Sequence, residues 1–196
     1  MKRRDFLKTS AIGITAPSIL MSDDEIKPNM NDPLILSTWE HGLPANDVAW
    51  KVLQNGGSAM DAAEAGAKVP EADPTSTSVG FGGLPDEQGN VTLDACVMDS
   101  DGNAGSVAFL QNIKHPVSVA RKVMEETKHV MLVGEGARQF AVSHGFEEID
   151  LLTDKSKMAW EKWKKKRREM MPHETHDTIS VLVQDKNGDL AGTCTT

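Results

Sequence analysis

Read for the spacing of its apolar positions, the chain alternates short strand-like runs with helical ones. "LILSTW" at 34–39 is a compact apolar run suited to a buried strand. "NDVAWKVLQNGG" at 46–57 then spaces Val48, Ala49, Val52 and Leu53 as one helical face, with Asn46 or Asp47 as cap and the Gly56-Gly57 pair as stop. A second helix is predicted over "SAMDAAEAGAKVPEAD", capped by Ser58 and ended near Pro70. "GFGGLPDEQGN" at 80–90 holds too much glycine and turn chemistry for a regular element and reads as a loop. It enters the strand "VTLDACVMD", which turns at "DSDGN" and returns as "AGSVAFLQN", a hairpin.

A helix opening at Pro116, a short strand "HVMLVG" and another helix "EGARQFAVSHGF" follow. "LTDKSKMAWEKWKKKRREM" is a long helix capped near Thr153 or Asp154, with Met158, Trp160 and Trp163 as its apolar contacts. After Met171 the pattern dissolves into a linker, and the chain closes on a strand from Thr178, a turn at "KNG" and a returning strand "DLAGTCTT". Intermixed helices and adjacent hairpin strands predict a layered α+β fold rather than a doubly wound sheet. A length of 196 residues is enough for one domain with a sizeable core.

The first residues change the organisation. "MKRRDFLKTSAIGITAPSIL" is a basic segment followed by a short, mildly apolar one interrupted by Pro17, the form of an export signal rather than of a membrane span. Arg3, Arg4, Phe6, Leu7 and Lys8 match the twin-arginine pattern read by the pathway for prefolded proteins, which implies a periplasmic location. The expected division is therefore a signal at 1–21, a linker at 22–33 and a domain from 34 onward. A formal net charge of -8 argues against a general nucleic-acid binder. The basic run "KWKKKRR" is spread around its helix and reads as a solvated face. Cys96 and Cys194 are the only cysteines; both sit in apolar strand-like runs and are expected to be buried thiols, although export would permit their oxidation.

The chemistry is concentrated at "PHETHDTISVLV". His173 and His176 would face one way on a helix as two zinc ligands, but no further ligand stands nearby in the sequence. "GFGG" and "GEG" lack the strand-to-helix setting of a phosphate loop. A Thr at the start of a strand, preceded by Asp, has two readings. One is an Asx-turn leading into a β-branched strand starter. The other is intramolecular attack: Thr178 Oγ adds to the Asp177 carbonyl, the resulting ester is hydrolysed, and the freed α-amine, with a pKa near 8, becomes the base for its own hydroxyl.

The blocks "LILSTW", "AWKVLQNGGSAMDAAE", "DPTSTSVGFGGLPDEQGNVTLDACVMD", "GSVAFLQNIKHPVSVARKVMEETKHVMLVGEGA" and "HDTI" with the closing "CTT" together resemble the glycosylasparaginase family of N-terminal nucleophile hydrolases, in family order from about Leu34 to Thr196. The resemblance implies a four-layer αββα sandwich, made as one precursor and cut by itself between Asp177 and Thr178 into a first chain, 34–177, and a second chain beginning at 178. Thr178 would be the nucleophile and N-terminal base, Asp177 the residue assisting the cut, His176 part of a strained linker, and Thr196 the hydroxyl set against the nucleophile. Trp39 and Ser78 would line the substrate pocket. The implied reaction is hydrolysis of the amide joining N-acetylglucosamine to asparagine, through a β-aspartyl ester on the Thr, with no cofactor and no metal. The implied assembly is a homo-oligomer of processed heterodimers.

Two departures bear on these expectations. Ser180 stands where the family has glycine two residues after the nucleophile, which would crowd the scissile turn. The family's second chain also continues past "CTT" with an Arg/Asp loop that grips the substrate and a Thr-Gly pair forming the oxyanion hole. Residues 1–196 are accordingly read as the front part of a longer precursor and as inactive alone. The alternatives are an isoaspartyl peptidase or plant-type asparaginase of the same superfamily, which the "HDT" triplet disfavours, and a non-catalytic exported protein that binds a partner.

Overall fold

The computed structural model describes residues 32–166 and 178–196. Residues 1–21, expected to be a signal, nearly all of the expected linker, His173, His176 and Asp177 lie outside the described residues. Six strands form one sheet: β1 (Leu34–Ser37), β2 (Leu93–Met98), β3 (Ala104–Leu110), β4 (Met131–Val133), β5 (Ile179–Gln184) and β6 (Leu190–Thr195). Their spatial order is β1-β5-β6-β2-β3-β4, antiparallel except for the parallel β3 and β4. The hairpin that follows residue 177 is therefore inserted into the middle of the sheet, between two strands that precede that residue.

Both hairpins turn on the same chemistry. Asp99 Oδ1 accepts from the backbone N–H groups of Asp101 at 3.0 Å and Asn103 at 2.9 Å, and Asp185 Oδ1 accepts from Asn187 at 2.8 Å and Asp189 at 3.2 Å. Gly102 and Gly188 supply the positive φ, 81° and 86°, that each turn requires.

One face of the sheet is covered by α1 (Gly42–Gln54), α2 (Ala59–Glu71), α3 (Pro116–Glu126) and α4 (Gly134–Ser143). Here α2 crosses β5 and β6, and α3 crosses β2 and β3. The approach is close because the touching residues are small. A Cβ on Gly105 of β3 would lie 2.2 Å from the Ala120 carbonyl of α3, and one on Gly66 would lie 3.3 Å from Ala49 Cβ of α1. Between α2 and α3, Ser118 Oγ donates to Glu64 at 2.5 Å while Arg121 Nη1 reaches Glu64 at 2.7 Å and Asp61 at 2.8 Å. These bonds hold the two helices side by side.

Ser58 caps α2 as the sequence predicts: its Oγ accepts from Asp61 N at 3.2 Å, and Asp61 returns the bond to the Ser58 N–H at 3.1 Å. Pro116 opens α3. Four expectations are corrected. The first strand stops at Ser37, because Trp39 takes φ 64°. Helix α1 then begins at Gly42 rather than after Asn46 or Asp47, with Pro44 in its first turn, and its buried positions are Gly42, Ala45 and Ala49. In α5 (Asp154–Lys166) Trp160 packs on Gly89 as expected, with Lys164 Nζ 4.3 Å from its ring centroid, but Met158 is 64% exposed, and the buried residue is Ser156, whose Oγ donates to the Gly82 carbonyl. Cys96 is exposed and Cys194 half-buried rather than enclosed, and the two stand directly opposite each other on β2 and β6.

That last correction concerns the second face of the sheet. Its side chains alternate outward from the buried ones, and no described helix covers them: Leu34, Leu36, Met98, Leu182 and Leu190 are all more than half exposed. The described residues thus supply one helical layer and one sheet of the expected αββα arrangement. Among them no helix is long and apolar enough to cross a membrane.

Candidate active site

The strand register builds rows of side chains across the uncovered face. Ile179 pairs with Thr195, so the next step of the same register sets Thr178 opposite Thr196. Thr196 in turn exchanges both backbone bonds with Asp94, N to O at 2.9 and 3.2 Å. Because Ile179 and Thr195 point into the helical layer, their neighbours Thr178 and Thr196 belong to the open face. One row therefore reads Thr178, Thr196, Asp94 across β5, β6 and β2. Asp94 is fixed there by its Oδ1, which accepts from Phe109 N at 2.7 Å where β2 and β3 slip register.

The adjoining row is Ser180, Cys194, Cys96 and Ser106. The hydrogen bond from Cys96 pulls the Cys194 thiol down to about 6, with Ser180 adding to it against the effect of burial. The same contact and burial push Cys96 up. Ser180 is thus a member of the ladder: its N–H donates to Thr38 Oγ1 at 3.0 Å, and its carbonyl accepts from Thr38 N at 3.2 Å. These bonds add one pairing, Thr38 with Ser180, beyond the end of β1 and leave Trp39, 55% exposed, at the end of the sheet that carries Thr178.

Beneath the threonine row, on the helical side, lies a carboxyl group the sequence reading did not single out. Glu71, the last residue of α2, is fully buried. Its Oε1 accepts from Thr195 Oγ1 at 2.6 Å and from Val117 N at 3.0 Å, and its Oε2 lies 3.1 Å from His115 Nδ1. Burial pushes its carboxyl above the ordinary range, against the pull of the His115 and Thr195 hydrogen bonds and of the Val117 N–H. Ser78 sits in the loop after α2. This loop is tied back to the same residue, since Phe81 N donates to the Glu71 carbonyl at 2.8 Å and a Cβ on Gly80 would meet Glu71 backbone at 2.4 Å. The Ser78 hydroxyl is enclosed with no hydrogen-bond partner among the described residues.

The structure therefore gathers Thr178, Thr196 and Trp39 at one end of the sheet and places Ser78 in a loop anchored under that end. Asp177 and His176 are outside the described residues. A threonine hydroxyl opposite a second threonine hydroxyl, at the start of a central strand, is an arrangement compatible with acyl transfer.

Comparison with known proteins decides the family. The sequence profile of the family described as "Asparaginase" matches residues 40–196. The chain belongs to the asparaginase family. A protein of Elizabethkingia miricola named N(4)-(Beta-N-acetylglucosaminyl)-L-asparaginase is 50% identical over 203 residues, covering 99% of this chain and 59% of that protein. Proteins of the same name from Rattus norvegicus and Mus musculus are 46% and 36% identical, covering 67% and 83% of this chain and 38% and 57% of their own lengths. The asparaginase-family chain thus spans less than two thirds of each of these relatives. Within it, Glu71 had one signal in the sequence. It ends the stripe Ala59, Ala63, Ala67, spaced by four on the buried face of α2, so a carboxylate there must enter the core. Nothing local marks Asp94 or His115, whose partners are 15 and 44 residues away.

Proposed function

We propose that the protein to which this chain belongs is a self-cleaving amidohydrolase of the glycosylasparaginase type, with Thr178 as its N-terminal nucleophile. The observation that carries the reading is the register that sets Thr178 against Thr196 on strands locked between β1 and β2. A cut before Thr178 leaves β5 bonded to β1 and β6 bonded to β2, so the new terminus stays at its site and the two chains stay together.

In the cut, Thr178 Oγ attacks the Asp177 carbonyl carbon, the peptide C–N bond breaks, and water hydrolyses the ester. Asp177 assists as base. In turnover the α-amine of Thr178 takes the hydroxyl proton while Oγ attacks the side-chain amide of N4-(β-N-acetylglucosaminyl)-L-asparagine. The proton passes to the leaving glycosylamine, and water then releases aspartate from the β-aspartyl ester. Thr196 supports the nucleophile by hydrogen bonding, and Trp39 and Ser78 line the pocket. The names of the relatives support this substrate over isoaspartyl peptides or free asparagine. Amino-terminal sequencing of the purified protein should find a chain starting at Thr178, with aspartate released from the glycosylated substrate faster than from either competitor. A β-aspartyl dipeptide turned over faster would move the protein to the isoaspartyl-peptidase branch.

The twin-arginine pattern supports export to the periplasm in a folded state, where processed heterodimers assemble as a homo-oligomer. Replacing Arg3 and Arg4 with lysine should leave a reporter fusion in the cytoplasm; a fusion still found in the periplasm would end that reading.

A further inference from the structure

We propose that Glu71 is a positioning residue for the Thr178 and Thr196 pair, acting through Thr195; this rests on the reading of Thr178 as nucleophile. The inference starts from cost. A carboxylate without exposure, at the end of a stripe of alanines, is tolerated only if its oxygens are satisfied. Two donors, the Thr195 hydroxyl on β6 and the Val117 N–H at the start of α3, meet one oxygen, and the His115 ring nitrogen lies 3.1 Å from the other. The first turn of α3, opened by Pro116, also places the positive end of that helix beside the carboxyl through the Val117 N–H. Glu71 is thereby fixed from the helical side, and the salt-bridged Glu64 and Arg121 hold α2 and α3 in the spacing this needs.

What Glu71 holds in return is the end of β6. Thr195 and Thr196 are consecutive residues on opposite faces of one strand, so the Thr195 side chain points at Glu71 while Thr196 faces Thr178. The 2.6 Å bond from Thr195 joins two buried side chains, where a hydrogen bond to a carboxyl oxygen is strong and geometrically demanding. It also runs from a residue before the 177–178 junction to one after it. The last step of β6 is therefore set by a buried polar contact rather than by apolar packing alone. A shift there displaces the Thr196 hydroxyl relative to Thr178 Oγ, and acyl transfer is sensitive to misplacement of about 1 Å. A Val at 195 against an apolar residue at 71 would pack the same space without this constraint, which makes orientation rather than bulk stability the function of the pair.

The test uses the whole processed protein carrying Thr195→Val, Thr195→Ser, Glu71→Gln or Glu71→Gln with Thr195→Val, beside Thr178→Ala as control. Thr195→Val keeps the volume and removes the donor, so kcat for aspartate release should fall by about 10- to 100-fold with KM within about twofold. Thr195→Ser should restore kcat to within about threefold of the parent. Glu71→Gln keeps a side-chain oxygen that can accept from Thr195 and Val117, so its kcat should stay within about threefold of the parent, and the double variant should fall no further than Thr195→Val, because the one contact is already lost. A crystal structure of Thr195→Val should show the Thr196 hydroxyl displaced by about 0.5 Å or more relative to Thr178. Parent-like kcat in Thr195→Val, an equal loss in Thr195→Ser, or an unmoved Thr196 overturns the proposal even if Glu71→Gln fails to fold. Activity retained by Thr178→Ala strikes instead at the nucleophile reading, so the two failures are told apart.

Discussion

Replacing Thr178 with alanine is expected to leave the 177–178 bond whole and to stop aspartate release, a loss of roughly 10⁴-fold or more, because one hydroxyl serves both the cut and turnover. Serine at the same position keeps Oγ and loses only the β-methyl that restricts its rotamer, so it should still cut itself and turn over, more slowly than the parent. Neither change should unfold the protein. Thr178 precedes β5, whose first paired residue is Ile179, and the core on either side of the hairpin is made by Ile179, Val181 and Val183 against the helical layer. Thermal unfolding of the alanine variant should accordingly stay within about 0.5 kcal/mol of the uncut parent. Mass spectrometry of the purified protein reads the cut directly, and an aspartate assay reads turnover. A Thr178→Ala protein that still divides into two chains would place the nucleophile elsewhere.

How much of this site is legible in the sequence depends on how far apart in the chain its causes lie. Ser58 and Asp61, Pro116, and the Asp99 and Asp185 turns are settled within a few residues, and their elements appear where the pattern places them. Thr178 and Thr196 are found in sequence through a motif, and their opposition follows from the length of one hairpin. The start of α1 escapes the pattern because its first turn is set by clearance, a Cβ at Gly42 falling 2.2 Å from Ser37 Oγ, and not by a capping side chain. Strand order is invisible locally: nothing in "TISVLVQD" says that it pairs with residues 34–37, about 140 positions earlier in the chain. The same holds for Cys96 and Cys194, which look like independent apolar positions until β6 is laid beside β2. Met158 reads as a core contact because helical spacing alone does not say which flank of α5 meets the protein.

A polypeptide ending at Thr196 is expected to associate with itself and to show no turnover, even where the 177–178 bond is cut. The reason for association is the uncovered sheet face. Leu34, Leu36, Leu182 and Leu190 are 63, 62, 51 and 58% exposed and lie together with Met98 across β1, β5, β6 and β2. Fully burying one such side chain contributes about 1.5–3 kcal/mol, so a patch of five favours any complementary apolar surface strongly, a second copy included. The polypeptide should therefore bind a hydrophobic dye and elute as a dimer or larger. The reason for inactivity is separate. The row Thr178, Thr196, Asp94 offers hydroxyls and a carboxylate, and the adjoining row of Ser180, Cys194, Cys96 and Ser106 adds no cationic side chain to receive a substrate carboxylate. Removing a single oxyanion donor commonly costs about 100- to 1,000-fold, and loss of substrate positioning adds to that. Expressing residues 22–196 beside a version carrying whatever the reading frame encodes past Thr196 tests both parts at once. If the longer version is monodisperse, free of dye binding and active while the short one is none of these, the missing groups and the missing cover come from the same segment. Turnover by the short polypeptide at a rate near that of the longer one would mean instead that the oxyanion and substrate contacts lie within residues 34–196, and that the bare face of the sheet is a surface for association rather than an unfinished core.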